Sequence, residues 1–136
     1  AALRALLLKL GVSRITTPYA LPPIGSKWKD GIYAGLTVHE NDPVELILLP
    51  GDFKGPWEKA KAWAAEQGGV LPSRIDQNVL WKNVPGEFEK DWYWSAEQCA
   101  GGADVAWYQD FDGGGQGYDS KGDGCRARAV RRVVIQ

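Results

Sequence analysis

Aspartate and glycine are concentrated in residues 101–124, and an oxygen-rich, flexible segment of this kind can bind calcium. The stretch has 8 glycines in 24 residues, together with Asp104, Asp110, Asp112, Asp119 and Asp123. An EF-hand loop that begins at Asp110 needs an oxygen ligand at its fifth position and a glutamate at its twelfth. Those positions hold Gly114 and Lys121. The sequence therefore excludes an EF-hand, and looser calcium binding by the clustered aspartates stays an alternative.

The sequence contains no group of side chains suited to catalysis. The single histidine, His39, lies in a polar turn, and no Gly-x-Ser-x-Gly motif surrounds a serine. Asp110 and Asp112 are close in sequence, but they lack the apolar neighbours that a general acid requires. Cys99 and Cys125 have no Cys-x-x-Cys or Cys/His grouping for zinc, and they either pair or stay as free thiols. We therefore expect no enzyme, no metal site and no cofactor.

Charge and hydropathy exclude two classes of partner. The chain has 16 Lys and Arg against 17 Asp and Glu, a formal net charge of -1 and a pI of about 5.8, so no overall positive field would attract nucleic acid. No apolar stretch approaches the roughly 20 residues of a membrane-spanning helix, so we expect no membrane insertion. Aspartates precede the basic end of the chain, and we expect local carboxylates and carbonyls to bind Arg126, Arg128, Arg131 and Arg132.

Residues 106–111 alternate in the pattern of a β-strand. Because successive residues of a strand point to opposite sides, Trp107, Gln109 and Phe111 share one face. Tyr108 and Asp110 share the other face, which we expect to point outward while the first lies in the core. With the glycine-rich loops around it, this strand fits either a recognition surface or an ordinary polar loop, and composition does not decide between the two.

At 136 residues the chain has room for one hydrophobic core, so we expect a single domain. A stripe with helical spacing runs along residues 1–10, formed by Leu3, Leu6, Leu7 and Leu10. This stripe predicts a helix that either packs on its own domain or joins copies of the chain into a homo-oligomer. Prolines over residues 16–27 predict an extended connector. Residues 1–30 thus form the helix and connector, and residues 31–136 form the folded domain.

The domain combines strands and helices in an order typical of the α+β class. Runs of β-branched and aromatic residues predict strands at residues 32–38, 44–49, 92–95, 106–111 and 126–135. The first two form a hairpin around a polar, exposed turn, and the last is a single closing strand. Pro56 begins a helix that ends at Gly68. Ser73 and Asp76 form a variant of the capping box before a second helix, which ends near Val84.

The order and spacing of several motifs resemble those of a known family. The motifs are Gly31-Ile32-Tyr33-Ala34-Gly35, the helix from Trp57, Leu71-Pro72-Ser73-Arg74, Trp92-Tyr93-Trp94-Ser95, Ala106-Trp107-Tyr108-Gln109-Asp110-Phe111 and Arg126-Ala127-Arg128-Ala129-Val130-Arg131-Arg132. Over about residues 31–135 the chain resembles the C-type-lectin-like proteins of prophages and the variable proteins of diversity-generating retroelements. The resemblance implies a C-type-lectin-like fold, with two helices packed on a small twisted antiparallel sheet, close chain termini and long glycine-rich loops.

In that family, mutagenesis directed at adenines changes chosen codons, typically those for Asn, and leaves the residues between them fixed. The resemblance implies that the fixed residues are Trp94, Ser95, Trp107, Gln109, Phe111, Gly113, Gln116, Lys121, Arg126 and Arg128. It implies that the variable, ligand-binding residues are Cys99, Ala100, Asp104, Tyr108, Asp110, Asp112, Tyr118, Asp119, Ser120, Gly122, Asp123, Gly124 and Cys125. Both cysteines would then be surface residues, with a disulfide between flanking loops as one option.

The resemblance implies a receptor-recognition protein without enzymatic activity, which binds a protein or glycan ligand on a cell surface and belongs to a phage virion or a bacterial cell surface. Tyr108 and Tyr118 would be its aromatic anchors, and the nearby aspartates would complement a basic partner. The Glu-Pro-Asn and Trp-Asn-Asp motifs of calcium-dependent sugar-binding lectins do not occur, which argues against calcium-mediated sugar binding. The alternatives are a static prophage assembly protein with the same fold and an enzyme related to formylglycine-generating enzymes.

Overall fold

The computed structural model describes residues 21–135 and has the α+β architecture expected from the sequence. Its elements, in chain order, are β1 Lys27–Trp28, β2 Gly31–His39, β3 Asp42–Leu48, β4 Phe53–Gly55, α1 Trp57–Glu66, α2 Arg74–Asn83, a 3₁₀ turn Pro85–Glu87, β5 Trp92–Gln98, β6 Val105–Asp110, β7 Gln116–Ser120, β8 Cys125–Ala127 and β9 Val130–Val134. The leucine-striped helix expected over residues 1–10, and the first part of the connector, lie outside the described residues.

The strands form two sheets. The first has the order β1-β2-β3-β9 and is antiparallel throughout. The second has the order β4-β8-β5-β6-β7, and β5 and β8 pair in parallel at Tyr93 and Arg126. β1 begins at Lys27, so strand pairing starts inside the segment that the sequence predicts as a connector. Strands from both ends of the described chain, β1 and β9, therefore lie in one sheet.

The predicted hairpin is confirmed, and its turn explains its register. Glu40 and Asn41 have positive φ angles of 51° and 68°, as a two-residue type I′ turn requires at both central positions. The pairing begins at His39 and Asp42, directly beside this turn. Both strands therefore extend closer to the turn than the sequence predicts, and the turn itself is exposed.

Both predicted helices are confirmed, and each begins at its sequence signal. α1 starts after Pro56, and the chain leaves it at Gly68, whose φ is 82°. At α2, Ser73 Oγ accepts a hydrogen bond from the backbone N–H of Asp76 at 3.0 Å, and Asp76 Oδ2 accepts one from the N–H of Ser73 at 3.0 Å. This is the expected capping box with Asp in place of Glu. No helix within residues 21–135 is long and apolar enough to cross a membrane.

The single closing strand predicted over residues 126–135 is wrong, because the chain forms two strands there in different sheets. β8 ends at Ala127 in the second sheet, and β9 begins at Val130 in the first. Between them, Arg128 Nη2 donates a hydrogen bond to the carbonyl oxygen of Leu49 at 2.9 Å. Charged residues alternate with small or apolar ones through both strands. This alternation therefore does not show where the chain passes from one sheet to the other.

One strand arises in a segment that the sequence predicts as loop and turn. β7 lies inside the glycine-rich stretch and pairs with β6, which places Gly117 opposite Tyr108. A Cβ atom at residue 117 would come within 2.7 Å of Tyr108 Oη. Glycine therefore serves here to let a neighbouring tyrosine lie across the strand, rather than to make a turn.

Two clusters of buried apolar side chains join the layers into one packed unit. The first packs α1 on the second sheet and includes Trp57 and Trp94. The second packs α2 between the sheets and includes Leu80, Leu46 and Phe111. The first cluster also contains residues of the first sheet, and the second cluster contains residues of both sheets. Neither sheet therefore forms a separate core.

A buried carboxylate ties α2 to the first sheet. Asp76 is fully buried, and its Oδ1 accepts a hydrogen bond from Thr37 Oγ1 at 2.6 Å. Its Oδ2 accepts two from Arg132, from Nε at 3.1 Å and from Nη2 at 2.5 Å. Thr37 lies on β2 and Arg132 on β9, so one side chain of α2 holds two strands as well as its own helix cap.

We expect the Asp76→Asn variant to lose about 3–5 kcal/mol of unfolding free energy, because Arg132 would keep its charge inside the fold without a carboxylate to neutralise it. Urea unfolding followed by tryptophan fluorescence measures the loss. The matched control, Glu58→Gln, removes one negative charge from an exposed pair with Lys61 and should change stability by less than about 0.5 kcal/mol. Equal losses in the two variants would show that the Asp76 pair does not anchor α2.

Candidate binding surface

Strands β5, β6 and β7 carry aromatic side chains on both faces. Trp94 lies directly opposite Tyr108, and Trp107 lies directly opposite Tyr118. Opposite residues of antiparallel strands share a face, whereas neighbours along one strand point to opposite faces. The predicted separation of Tyr108 from Trp107 is therefore confirmed. The expectation that the Tyr108 face points outward is wrong, because Trp94 shares that face and is fully buried in the cluster under α1. The same register places Tyr108 and Tyr118, the two expected anchors, on opposite faces of the sheet.

One of these faces combines aromatic and acidic side chains, and we define the acidic aromatic face as Trp92, Tyr108, Asp110, Asp119 and Asp123. Trp92 lies opposite Asp110. Its ring stacks on Tyr108, with centroids 4.2 Å apart and an interplanar angle of 12°. Tyr108 is half-buried against the cluster under α1, whereas Trp92 is 41% exposed. The stack thus leaves part of the indole open to solvent.

Carboxylates from three segments meet beside Tyr108. Burial raises the pKa of the Tyr108 hydroxyl, and the negative charges of Asp119 and Asp110 raise it further. The pKa of Asp123 is also raised, because its carboxyl group hydrogen-bonds to that of Asp119 and is repelled by the same charge. These residues come from β6, β7 and the β7–β8 loop, so the fold brings them into one patch.

The five aspartates of residues 101–124 form no ion pair within the described part of the chain. The terminal arginines do bind carboxylates and carbonyls, as expected. Their partners are Asp52 and Asp91 for Arg126, the carbonyls of Leu49 and Glu87 for Arg128, Asp30 for Arg131, and Asp76 for Arg132. The expectation that the preceding aspartates supply these contacts is wrong, because the crossing from β8 to β9 carries Arg131 and Arg132 into the first sheet.

The opposite face is largely covered by α2. Arg74 places its guanidinium carbon 3.5 Å from the centroid of the Trp107 ring, and its Nε donates a hydrogen bond to Gln116 Oε1 at 2.9 Å. Gln116 Nε2 in turn donates to Gln109 Oε1 at 3.1 Å. Tyr118 meets the edge of Trp107 and is 60% exposed. This face therefore presents Tyr118 to solvent, while the chain's own arginine covers Trp107.

Protein contacts hold the loop between β6 and β7. Asp110 Oδ1 accepts a hydrogen bond from the backbone N–H of Asp112 at 2.8 Å. Gly114 has a φ of 86°, and a Cβ atom there would lie 2.7 Å from Trp81 Nε1, so only glycine fits. Across residues 21–135, no three His, Cys, Asp or Glu side chains come together as a candidate metal site.

Most of the other residues that the resemblance makes variable lie at the surface. The exposed ones are Ala100, Asp104, Asp112, Ser120, Gly122 and Gly124. Lys121 joins two of these loops, since its backbone N–H donates to the carbonyl of Asp104 at 2.9 Å and its Nζ donates to Gln98 Oε1 at 2.6 Å. The loops that follow β5 and β7 are thereby held together.

Cys125 is buried, so the expectation that both cysteines are surface residues is wrong for this one. It is 5% exposed and packs in the cluster that contains Trp94, because alternate residues of β8 point inward. Burial, followed by the charge of Asp119, raises the pKa of its thiol to about 12. Cys99 is half-buried, and both cysteines are free thiols, so the disulfide option is also wrong.

Sequence reasoning missed two contributors to these faces, Trp92 and Arg74. Trp92 and Trp94 are two residues apart in β5 and share a face, yet Trp94 is fully buried and Trp92 is not. The signal that distinguishes them is the charged pair Lys90 and Asp91, which precedes Trp92 and indicates the solvent end of the strand. No local signal places Arg74 over Trp107, since the two residues meet only through the packing of α2 on the sheet.

No protein-family model matches the chain, and no curated protein matches it significantly. The interpretation of the two faces therefore depends on their geometry and chemistry.

Thiol labelling should distinguish the two cysteines. In the folded protein at about pH 8 we expect Cys99 to react quickly with a disulfide reagent and Cys125 to react slowly, because only the thiolate reacts. Raising the pKa from 9.0 to about 12 lowers the thiolate fraction of Cys125 about a thousandfold. The Cys99→Ser variant should show only the slow reaction, and denaturant should make both thiols fast. Rapid native labelling of Cys125 would contradict its burial.

Proposed function

We propose that this protein is a receptor-recognition protein without enzymatic activity, built on a C-type-lectin-like scaffold and resembling the variable proteins of diversity-generating retroelements. The observation that carries the proposal is the acidic aromatic face. Asp110 lies opposite the exposed Trp92, Asp119 lies near the Tyr108 hydroxyl, and no Lys or Arg of residues 21–135 forms an ion pair with the aspartates of this face. An exposed aromatic side chain beside unpaired charges, carried by loops on a rigid frame, is typical of a recognition surface.

The division between fixed and variable residues that the resemblance implies agrees with how the fold uses them. Trp94 Nε1 donates a hydrogen bond to the carbonyl of Gly55, and Gln109 is fully buried and donates to the carbonyl of Gly115. Arg126 bridges two carboxylates. Most of the variable positions are exposed or half-buried, and Cys125 is the buried exception. A scaffold of this kind allows its ligand-facing side chains to change without loss of the core.

The arrangement of the elements supports a C-type-lectin-like fold. β1 and β9 belong to the same sheet, at its two opposite edges, so strands from both ends of the described chain lie in one layer. Two helices pack on the sheets, and the glycine-rich connections all belong to the second sheet. The single histidine, His39, lies exposed at the hairpin turn on the first sheet, away from the acidic aromatic face in the topology, which favours binding over catalysis.

The DNA around the gene tests the diversification part of the proposal. We expect an imperfect copy of the codons for about residues 93–132, which differs only where the copy has adenine, beside a reverse-transcriptase gene. Such a copy would identify the variable positions codon by codon. Its absence would contradict diversification and favour a static prophage assembly protein with the same fold.

A substitution series tests the division between scaffold and ligand-facing residues. Asp123→Asn and Ser120→Gly should each change the unfolding free energy by less than about 0.5 kcal/mol, because exposed side chains contribute little. Trp94→Ala should cost about 3–5 kcal/mol through the cavity it leaves, and Gln109→Ala about 1–3 kcal/mol through unpaired buried groups. Urea unfolding measures all four. Similar losses in both sets would contradict a scaffold that tolerates changes at its ligand-facing positions.

A further inference from the structure

We propose that the acidic aromatic face binds a lysine or arginine side chain presented by a basic protein or peptide. The inference rests on the proposed function and names the class of ligand that this face would take. The cation would pack on the open part of the Trp92 ring, and the carboxylates beside Tyr108 would neutralise its charge.

Trp92 is a preorganised surface for a cation. Stacking on Tyr108 at 4.2 Å holds the indole in one orientation, so ordering it on binding costs little entropy. Tryptophan is the strongest aromatic acceptor for an ammonium or guanidinium group that lies within about 6 Å of the ring. No Lys or Arg of the described residues lies over the ring of Trp92. The ring is therefore exposed, fixed and available.

The opposite face of the same strands already contains the interaction that we propose. There the Arg74 guanidinium lies 3.5 Å from the Trp107 centroid. Trp57 has a similar contact, since Lys121 Nζ lies 4.5 Å from its centroid. Trp107 and Trp57 thus have cations from within the chain, whereas Trp92 has none within residues 21–135. A ligand would supply to Trp92 the cation that the chain itself supplies to Trp107 and Trp57.

The aspartates around the stack likewise have no ion-pair partner among the described residues. Asp110 lies directly across from Trp92, and the carboxyl groups of Asp119 and Asp123 hydrogen-bond to each other. A hydrogen-bonded carboxyl pair shares one proton, and a cation beside it favours release of that proton because it stabilises both negative charges. Arg126, Arg131 and Arg132 pair with other carboxylates, so none of them neutralises this negative charge. Charge complementarity therefore favours a basic partner over an acidic one.

A neutral glycan is the rival occupant, because a sugar ring also packs on an exposed tryptophan. The two ligands depend on different parts of the face. A sugar needs the open ring of Trp92 and does not need the net charge of Asp119 and Asp123, whereas a cation needs both. Binding of the sugar would also be insensitive to salt, whereas screening weakens attraction between exposed charges. Salt dependence and the effect of removing the aspartate charges therefore distinguish a cation from a sugar.

The experiment is a titration of the isotope-labelled protein with the peptide acetyl-Gly-Arg-Gly-Arg-Gly-amide, followed by NMR. We expect saturable shifts at the indole N–H of Trp92 and at the backbone N–H groups of Asp110 and Asp119, and an affinity that falls as salt is added. The acidic peptide acetyl-Gly-Glu-Gly-Glu-Gly-amide and methyl β-glucoside, at the same concentrations, should leave these signals unchanged.

Two variants of the face should weaken binding of the basic peptide. Trp92→Ala should lower the affinity about tenfold, since it removes the aromatic partner of the cation. The double variant Asp119→Asn, Asp123→Asn should lower it about fivefold and flatten its salt dependence. Trp92→Phe keeps a stacked ring with a weaker attraction for cations and should give an intermediate affinity. Thermal unfolding of each variant shows whether it is folded.

Two matched controls remove apolar surface or negative charge at other places. Ile75→Ala removes an exposed apolar side chain from α2. The double variant Glu40→Gln, Asp42→Asn removes two negative charges from the exposed hairpin turn. Both controls should bind the basic peptide as the unmodified protein does.

Loss of peptide binding in the Trp92 and double-aspartate variants, with both controls unchanged, would support the inference. Binding of the glucoside at the same signals, equal weakening in the controls, or no binding of the basic peptide would overturn it. These failures are distinguishable from failure of the proposed function, which depends on the DNA copy and on the substitution series. A protein with an adenine-directed copy and no affinity for the basic peptide would keep the proposed function and lose only this assignment.

Discussion

Asp76 accepts hydrogen bonds from its own helix cap, from Thr37 on β2 and from Arg132 on β9, and the position of α2 depends on this buried carboxylate. α2 in turn reaches the second sheet, where Gln77 Nε2 donates to the carbonyl of Trp94 at 3.0 Å. α2 thus makes side-chain hydrogen bonds to both sheets. α2 packs on one face of β5, β6 and β7, and the cluster under α1 buries Trp94 on the other. On that second face Trp92 stays 41% exposed.

The parts of the fold that could be predicted from the sequence are those set by neighbours along the chain. A two-residue turn specifies the β2–β3 hairpin, and the Ser73 capping box specifies the start of α2. The split of the last segment into β8 and β9 could not be predicted in this way, because it depends on hydrogen bonds between Arg128 and the distant Leu49. β7 could not be predicted for a similar reason. In the sequence Gly117 indicates a turn, whereas in the structure it makes room for the Tyr108 side chain of the neighbouring strand.

The same distinction between local signals and long-range contacts applies to the candidate site. Strand alternation correctly separates Tyr108 from Trp107, because side-chain direction in a strand is a local property. It does not show that Tyr118 faces away from Tyr108, which follows from the register between β6 and β7. The burial of Cys125 likewise depends on the packing of β8 under α1, which no neighbour in the sequence reports. The residues of the surface were thus largely foreseeable, but their distribution over two faces was not.

The overall charge of the chain conceals the property that matters most for its surface. A formal net charge of -1 suggests a protein without a strong field. The arginines near the end of the chain, however, all bind carboxylates or carbonyls that hold the fold together, such as Asp76 beside Arg132 and Asp91 beside Arg126. Arg126, Arg131 and Arg132 are therefore neutralised by carboxylates where they lie, whereas the aspartates of residues 101–124 form no ion pair within the described residues. Because potential at a surface depends on nearby, unpaired charges rather than on the total, a nearly neutral chain can present an acidic face to solvent.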